Sequence, residues 1–285
     1  MGELFYGSEL SSTLVAEMKT KVDTYRLQGR RAPRLDTIIV GNNPASLSYI
    51  KGKHNKCLQA GIENVVHHLK EQTTQSQLEE EIQKCNENDN CDGILLQMPL
   101  PAHLDENQAI LKMDPSKDVD GLHPINIGHL FSGEPRFVPC TPLGVMKILE
   151  ALHVDLTGKQ AVVVGRSRLV GNPVARLLQD ANATVTICHS KTKDLVSVTR
   201  NADILVVAMG RPQVIRSEYV KEGAVVIDVG INRVDGHLCG DVDTQDVLDK
   251  VSYITPVPKG VGPMTICALL LNTLQSYEER EHICR

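Results

Sequence analysis

The feature that most constrains this chain is a repeated pattern: a short apolar run closed by a turn and followed by a helical period. Ala161-Val162-Val163-Val164 stops at Gly165, Asp203 to Val207 stops near Gly210, and Val225-Val226-Ile227-Asp228 stops near Gly230. Runs without polar alternation belong to strands buried on both faces, and strands alternating with helices build a parallel sheet with helices on either side. The spacing predicts strands at 160–164, 184–188, 203–207, 225–228 and 252–254, with a main helix over 171–180. The first half repeats the theme more loosely. Strands are expected at 36–40, near 65–69 and at 92–97, and helices at 8–28, 45–60, 76–86 and 104–112. Residues 117–140 carry several prolines and no long period, so they read as a loop and linker ahead of a helix at 142–153. The expected fold is therefore α/β with two domains. One covers 1–147 and is completed by an amphipathic C-terminal segment at about 263–285; the other covers 148–262 and is a Rossmann-like parallel sheet.

Composition excludes several classes. The 285 residues include 30 basic and 35 acidic side chains with no basic stripe, which argues against nucleic acid. No apolar stretch reaches the length of a membrane span. The eight cysteines, Cys284 among them, form no Cys-x-x-Cys pair, and the N-terminus has no secretory pattern. Reduced thiols and a cytoplasmic location are expected. The sequon at Asn182 leads into a run that reads as a buried strand, so no glycan is expected there.

The turn Gly165-Arg166-Ser167 through Gly171 points backbone N–H groups and a helix N-terminus at one place, which suits a pyrophosphate. The spacing is not the usual Gly-x-Gly-x-x-Gly, and a tight strand-to-helix turn without a ligand explains it too. The next strand is more informative. An NAD site places an acid at its end for the ribose 2′-hydroxyl; here Cys188-His189-Ser190-Lys191-Thr192 offers donors, with Arg166 in the first turn. Arg and Ser suit a 2′-phosphate, which favours NADP. Gly210 would allow close approach of the other half of the nucleotide. Asp228 reads equally as a turn carboxylate.

In the first half, Tyr49 and Lys53 share a helix face at i,i+4, although a run with Lys51, Lys53 and Lys56 also suits a solvated helix. Gln97 ends an apolar strand ahead of Met98-Pro99-Leu100-Pro101, where a pocket residue would sit. Asp118 and Asp120 flank Val119, but no metal-binding pattern accompanies them and no metal is expected. Thr255 to Thr265 holds three prolines and two glycines, which suits a rigid ligand-positioning loop or a plain hinge.

Together these stretches resemble the methylenetetrahydrofolate dehydrogenase/cyclohydrolase family, FolD-type enzymes, over essentially the whole chain. The resemblance rests on Val40-Gly41-Asn42-Asn43-Pro44-Ala45-Ser46 with Tyr49 and Lys53, on Gly93 to Pro101, on Lys117 to Gly121, and on Pro139-Cys140-Thr141-Pro142. It extends to Gly165-Arg166-Ser167 with Val170-Gly171, to Val229-Gly230-Ile231-Asn232, and to Val261-Gly262-Pro263-Met264-Thr265. It implies two domains flanking a cleft, a homodimer through the nucleotide domains, and two reactions. NADP-dependent oxidation of 5,10-methylenetetrahydrofolate would give the 5,10-methenyl species, and hydrolysis of that species would give 10-formyltetrahydrofolate. Lys53 would carry the hydrolytic step, Gln97 would tune it, Tyr49 would stack on the folate and Asp120 would bind the pterin amino groups. Gly165, Arg166, Ser167, Ser190, Gly210 and Ile231 would hold NADP, and Val261, Gly262 and Pro263 would help bind the folate. A dehydrogenase with little cyclohydrolase activity and a catalytically silent binding protein are the alternatives. One departure stands out: Lys259 occupies a place where the family has glycine. A lysine there is strained if φ is positive, and it would add charge near a polyglutamylated substrate tail.

Overall fold

The computed structural model describes residues 2–283, without the side chains at positions 44–46 and 48, so Cys284 and part of the 40–46 motif lie outside the described residues. The first half runs β1 (Glu3–Leu4), α1 (Gly7–Leu27), β2 (Arg34–Val40), α2 (Pro44–Ala60), β3 (Glu63–Leu69), α3 (Gln75–Glu87), β4 (Gly93–Leu96), α4 (Glu106–Lys112), α5 (Pro124–Ser132) and α6 (Cys140–Ala151). The second half runs β5 (Gln160–Val164), α7 (Gly171–Asp180), β6 (Thr184–Cys188), α8 (Leu195–Thr199), β7 (Ile204–Val207), β8 (Val225–Asp228), β9 (Asn232–Val234), β10 (His237–Cys239), α9 (Thr244–Val247), β11 (Tyr253–Ile254) and α10 (Val261–Arg280). Two compact units result, one of Thr13–Cys140 with Ile266–Arg285, the other of Met1–Ser12 with Thr141–Thr265.

The first unit is built on a three-stranded parallel sheet in the order β3-β2-β4. Ile38, Val40, Ile94 and Leu96 pack with Leu78, Ile82 and Cys85 of α3. Those three recur at helical spacing, and α3 starts from a capping box in which Thr74 Oγ1 accepts the Gln77 N–H while the Gln77 side chain accepts the Thr74 N–H. Beyond β4, the Ile94 N–H donates to Lys117 O at 2.7 Å, so the 117–120 segment runs along the outer edge of that strand.

The expectation of an irregular 117–140 is corrected here, because α5 lies within it. His123 Nδ1 accepts the Ile125 N–H at 3.1 Å, Pro124 opens the helix and Gly133 closes it at φ 87°. Asp118 anchors this start, accepting from the His123 N–H at 2.7 Å, the Leu122 N–H at 3.2 Å and Asn126 Nδ2 at 2.8 Å.

In the second unit the main sheet has six parallel strands, in the order β1-β11-β8-β7-β5-β6, and β9 and β10 form a separate antiparallel pair. The first residues of the chain join this unit because β1 pairs with β11. Strands β7 and β8 are buried throughout, as their composition demands. Strand β6 is not: it forms the edge, and Thr184, Thr186 and Ile187 are exposed, which corrects the expectation of a buried strand after Asn182. From β5 the chain moves outward to β6 and then crosses back to β7. The order therefore reverses between β5 and β7, and ligands of such sheets bind at the carboxyl ends of the strands flanking that reversal.

Candidate active site

In the first unit, α2 and the end of β4 bring Tyr49, Lys53 and Gln97 together. Lys53 is 7% exposed, and its Nζ lies 3.0 Å from Gln97 Oε1 and 4.7 Å from the centre of the Tyr49 ring. Gln97 directly follows β4. Its N–H still donates to Ile38 O at 2.9 Å, and its Nε2 donates to Met98 O at 2.6 Å, which turns Oε1 toward the lysine. Burial pulls the Lys53 ammonium below its ordinary pKa, while Asp120 and the Cys140 and Cys57 thiols pull the other way. Desolvation wins because the nearest acceptor is an amide oxygen and not a carboxylate. Tyr49 is 39% exposed and offers its ring face; burial, then Asp120 and Cys140, push its phenol up, so it is neutral at physiological pH.

Asp120 stands near this group, close enough to act on both Tyr49 and Lys53. Asp118, two residues earlier, is fully buried and spent on the α5 start; burial raises its carboxyl to about 6. Of the paired aspartates, then, Asp120 is the one that stands beside Tyr49 and Lys53. Cys140 escaped the sequence reading as a member of this group. It is buried, its Sγ donates to Val119 O at 3.4 Å, and burial, followed by Asp120, pushes its thiol well up. Asn272 fixes the same neighbourhood by donating from Nδ2 to Val119 O at 2.8 Å and Val138 O at 2.9 Å. Cys140 lies in the Pro139-Cys140-Thr141-Pro142 stretch, but nothing local marks it as a neighbour of Lys53, and Asn272 acts across more than a hundred residues.

Among the described residues, one cluster of mixed His, Cys and carboxylate groups occurs: Asp36, His67 and Cys85. His67 Nε2 is 2.8 Å from Asp36 Oδ1 and its Nδ1 is 2.7 Å from Glu81 Oε1. Arg34 binds the same Asp36 carboxylate, with Nη2 at 2.8 Å from Oδ1. The Asp36 hydrogen bond, then the Cys85 contact, raise His67 to about 10. A charged imidazolium between two carboxylates is an ion-pair network and not a set of open metal ligands.

In the second unit, Gly165 has φ +134° and a Cβ there would collide with Ala208 O, while a Cβ on Gly171 would collide with Gly165 O. Both glycines are required for β5, β7 and α7 to approach one another. Ser167 Oγ accepts the Val170 N–H at 3.1 Å and the Gly171 N–H at 3.3 Å, closing the turn. Arg166 and Ser190 are both exposed at the ends of β5 and β6. The loop that carries Ser190 is tied back on itself: the His189 N–H donates to Thr192 Oγ1 at 2.9 Å and the Lys191 N–H to His189 Nδ1 at 3.2 Å. The first carboxylate after β6 is Asp194, and it is occupied as a helix cap, accepting the Ser197 N–H at 3.2 Å. Gly210 has φ +66° with open space where a Cβ would project. This donor set suits a dinucleotide with a 2′-phosphate better than one with a free ribose hydroxyl.

Ile231 follows β8, is 60% exposed, and its Cδ1 would lie 3.9 Å from a Cβ on Gly262. Val261, Gly262 and Pro263 form the first turn of α10, two residues earlier than expected, and these three belong to the nucleotide-side unit and not to the unit of Lys53. Lys259 has φ +82°, so the strained backbone anticipated for a lysine at this place is present. Asp228 is a turn carboxylate: it accepts from Gly230, Asp241 and Val242 N–H groups, and burial raises it to about 7.

Comparison with known proteins identifies the set. Residues 5–120 match the catalytic domain of tetrahydrofolate dehydrogenase/cyclohydrolase, and residues 139–281 match its NAD(P)-binding domain. A protein of Bacillus cytotoxicus described as bifunctional protein FolD is 50% identical over 280 residues, 98% of each chain. The crystal structure of the bifunctional FolD methylenetetrahydrofolate dehydrogenase/cyclohydrolase of Campylobacter jejuni is 48% identical with a TM-score of 0.96, covering 98% of this chain and 100% of its own. A Trypanosoma brucei enzyme of the same description, complexed with NADP cofactor and inhibitor, is 39% identical with a TM-score of 0.93 over 99% of both chains. The chain belongs to the tetrahydrofolate dehydrogenase/cyclohydrolase family.

Proposed function

We propose that this chain is a bifunctional enzyme that oxidises 5,10-methylenetetrahydrofolate with NADP and hydrolyses the 5,10-methenyl product to 10-formyltetrahydrofolate. The observation that carries this reading is Lys53: a desolvated amine held 3.0 Å from an amide oxygen and against an aromatic face.

The oxidation asks for positioning more than proton transfer, because nitrogen lone pairs stabilise the developing cation. NADP, when bound, supplies the acceptor for the hydride. Gly165, Ser167, Gly210 and Ile231 would hold it at the sheet's carboxyl edge, with Arg166 and Ser190 on the 2′-phosphate. Tyr49 would stack on the folate, and Asp120 would take two parallel N–H bonds from the pterin. Val261, Gly262 and Pro263 would contribute further substrate contacts.

The hydrolysis needs a proton carrier. As water adds to the methenyl carbon, neutral Lys53 takes one of its protons. As the carbon–nitrogen bond then breaks, the Lys53 ammonium returns that proton to the ring nitrogen, and the remaining hydroxyl proton leaves to solvent. A lysine can do this only if its pKa is brought toward neutrality, which is the direction burial imposes here. Gln97 orients the amine without adding a negative charge that would lock it protonated.

The folate-side unit and the nucleotide-side unit thus divide the work. A homodimer through the nucleotide-binding units, a polyglutamylated substrate and a cytoplasmic location complete the reading. No helix among the described residues is long and apolar enough to cross a membrane.

The test follows NADPH and the methenyl species separately in the wild type and in Lys53→Met. The wild type is expected to form NADPH and to open added methenyltetrahydrofolate faster than buffer. Lys53→Met is expected to bind NADP but lose the hydrolysis by 100-fold or more, on the order of a full general acid–base contribution. Hydrolysis near the wild-type rate in the mutant would remove Lys53 from its role. Methenyl accumulation in the wild type would leave a dehydrogenase alone, and no turnover with NADP or NAD would leave a binding protein.

A further inference from the structure

Beyond the residues that would touch nucleotide or folate, one buried carboxylate governs two loops at once. Asp241 is 0% exposed, and four donors converge on its two oxygens. Oδ2 accepts the Met209 N–H at 2.7 Å and the Gly210 N–H at 2.9 Å. Oδ1 accepts the Arg211 N–H at 2.8 Å and Asn232 Nδ2 at 2.9 Å. The first three donors are consecutive in the turn that leaves β7, and the fourth is in the segment that leaves β8. Asp241 is itself held in place, because its N–H donates to Asp228 Oδ1 at 3.1 Å and that same oxygen takes the Gly230 N–H at 2.9 Å. A Cβ on Gly230 would collide with the Asp241 side chain, so both glycine and carboxylate are needed for this packing.

We infer that Asp241 is a positioning residue for the nucleotide, fixing the Gly210 turn and the Ile231 segment in the places from which they meet it. The inference rests on the nucleotide-binding reading given above. Met209, Gly210 and Arg211 spend three successive N–H groups on this one side chain, which is itself buried away from water. Its two oxygens are matched to four donors, so a side chain with one acceptor oxygen must lose two of these bonds. Asparagine keeps the shape and loses that capacity, since its amide NH2 necessarily faces two of the four donors. The folate-side group of Lys53, Gln97 and Tyr49 makes none of these bonds, so the two activities respond differently.

The experiment compares wild type, Asp241→Asn and Asn232→Ala. NADP binding is read by calorimetric titration, and opening of added methenyltetrahydrofolate is read without nucleotide. For Asp241→Asn the NADP Kd is expected to rise at least tenfold while the hydrolysis stays within twofold of wild type. Asn232→Ala, which removes one donor and leaves the carboxylate, is expected to raise the Kd about threefold. An unchanged Kd in Asp241→Asn overturns the inference, and so does a parallel loss of binding and hydrolysis, which would mark a general structural role. If Asp241→Asn does not fold, Asn232→Ala decides: a raised Kd with intact hydrolysis supports the inference and an unchanged Kd overturns it. A wild type that does not bind NADP overturns the nucleotide reading and this inference together, whereas wild-type binding with unaltered variants overturns this inference alone.

Discussion

Gln97→Glu isolates the electrostatic argument for Lys53. The amide oxygen lies 3.0 Å from Lys53 Nζ. A carboxylate at that distance attracts the ammonium by roughly 5–6 kcal/mol at an effective dielectric constant of about 20. One loss offsets part of this: the Gln97 amide oxygen already holds the ammonium through a charge-assisted hydrogen bond worth about 1.5–3 kcal/mol, which the carboxylate replaces. A net gain of about 3 kcal/mol remains, which raises the Lys53 pKa by about two units. The neutral amine then becomes about a hundredfold scarcer at fixed pH. The expected result is a cyclohydrolase kcat lower by about 100-fold near neutral pH, with the pH–rate profile displaced upward by about two units. Dehydrogenase turnover should fall much less, because hydride transfer does not use this proton. The assay is methenyl decay followed across the pH range, beside NADPH formation in the same buffers. Hydrolysis at wild-type rate with an unmoved profile would refute the reasoning: it would mean either that Lys53 need not be neutral or that Gln97 does not set its state.

Three further substitutions probe separate claims. Arg166→Ala should lower kcat/KM for NADP by about 30–160-fold, the value of a charge-assisted bond of about 2–3 kcal/mol, and leave the NAD value nearly unchanged; equal losses would show that Arg166 does not read the 2′-phosphate. Lys259→Gly relieves a lysine at φ +82° and should stabilise the unit by about 1 kcal/mol in denaturant unfolding. The same variant should lose preference for pentaglutamate over monoglutamate substrate, and an unchanged KM ratio would separate Lys259 from the tail. His67 is raised from 6.5 to about 10, so its pairing stabilises the fold fully below pH 6.5 and the gain is lost as pH rises through 10. His67→Gln should therefore cost on the order of 2–4 kcal/mol at pH 7 and flatten the decline in stability between pH 7 and pH 10; a wild-type stability already flat over that interval would contradict the network's charge state.

What the sequence reveals follows from how local each cause is. Strands β5, β7 and β8 are legible because burial on both faces leaves an apolar run interrupted only at a strand end, by Gln160 and Asp228. Helix α5 is obscured by Pro124 and Gly128, yet its His123-Pro124 start and Gly133 stop are local signals that could have found it. Strand β1 is two residues long, and its pairing with β11 spans nearly the whole chain, so nothing local announces it. Strand β6 carries β-branched residues with or without cover, and only its edge position decides their exposure. The site divides in the same way. Tyr49 and Lys53 share a helix face and can be paired by spacing. Lys53 and Gln97 are 44 residues apart, and their meeting depends on the sheet. Asp241 has no motif of its own, since its role lies in where four distant donors point.

Two buried lysines in the folate-side unit show how the cation proposed as reactive differs from a structural one. Lys117 is 1% exposed, more buried than Lys53, and burial pulls its pKa down as well. Yet its Nζ donates to Cys85 O at 3.0 Å, Asn86 O at 2.6 Å and Asn88 O at 2.8 Å, three carbonyls at the end of α3. All three ammonium protons are used, and losing one would orphan a buried carbonyl, so this lysine serves the helix terminus and does not exchange protons. Lys53 has one amide oxygen and an aromatic face, an arrangement that directs the amine while leaving capacity for a proton to come and go. The neighbouring aspartates repeat the contrast. Asp118 meets three donors and holds α5, while Asp120 lies beside Lys53 and Tyr49 at the end of the same segment. Burial alone therefore does not mark the chemistry. What marks it is a buried titratable group whose hydrogen-bonding capacity the fold has left partly unspent.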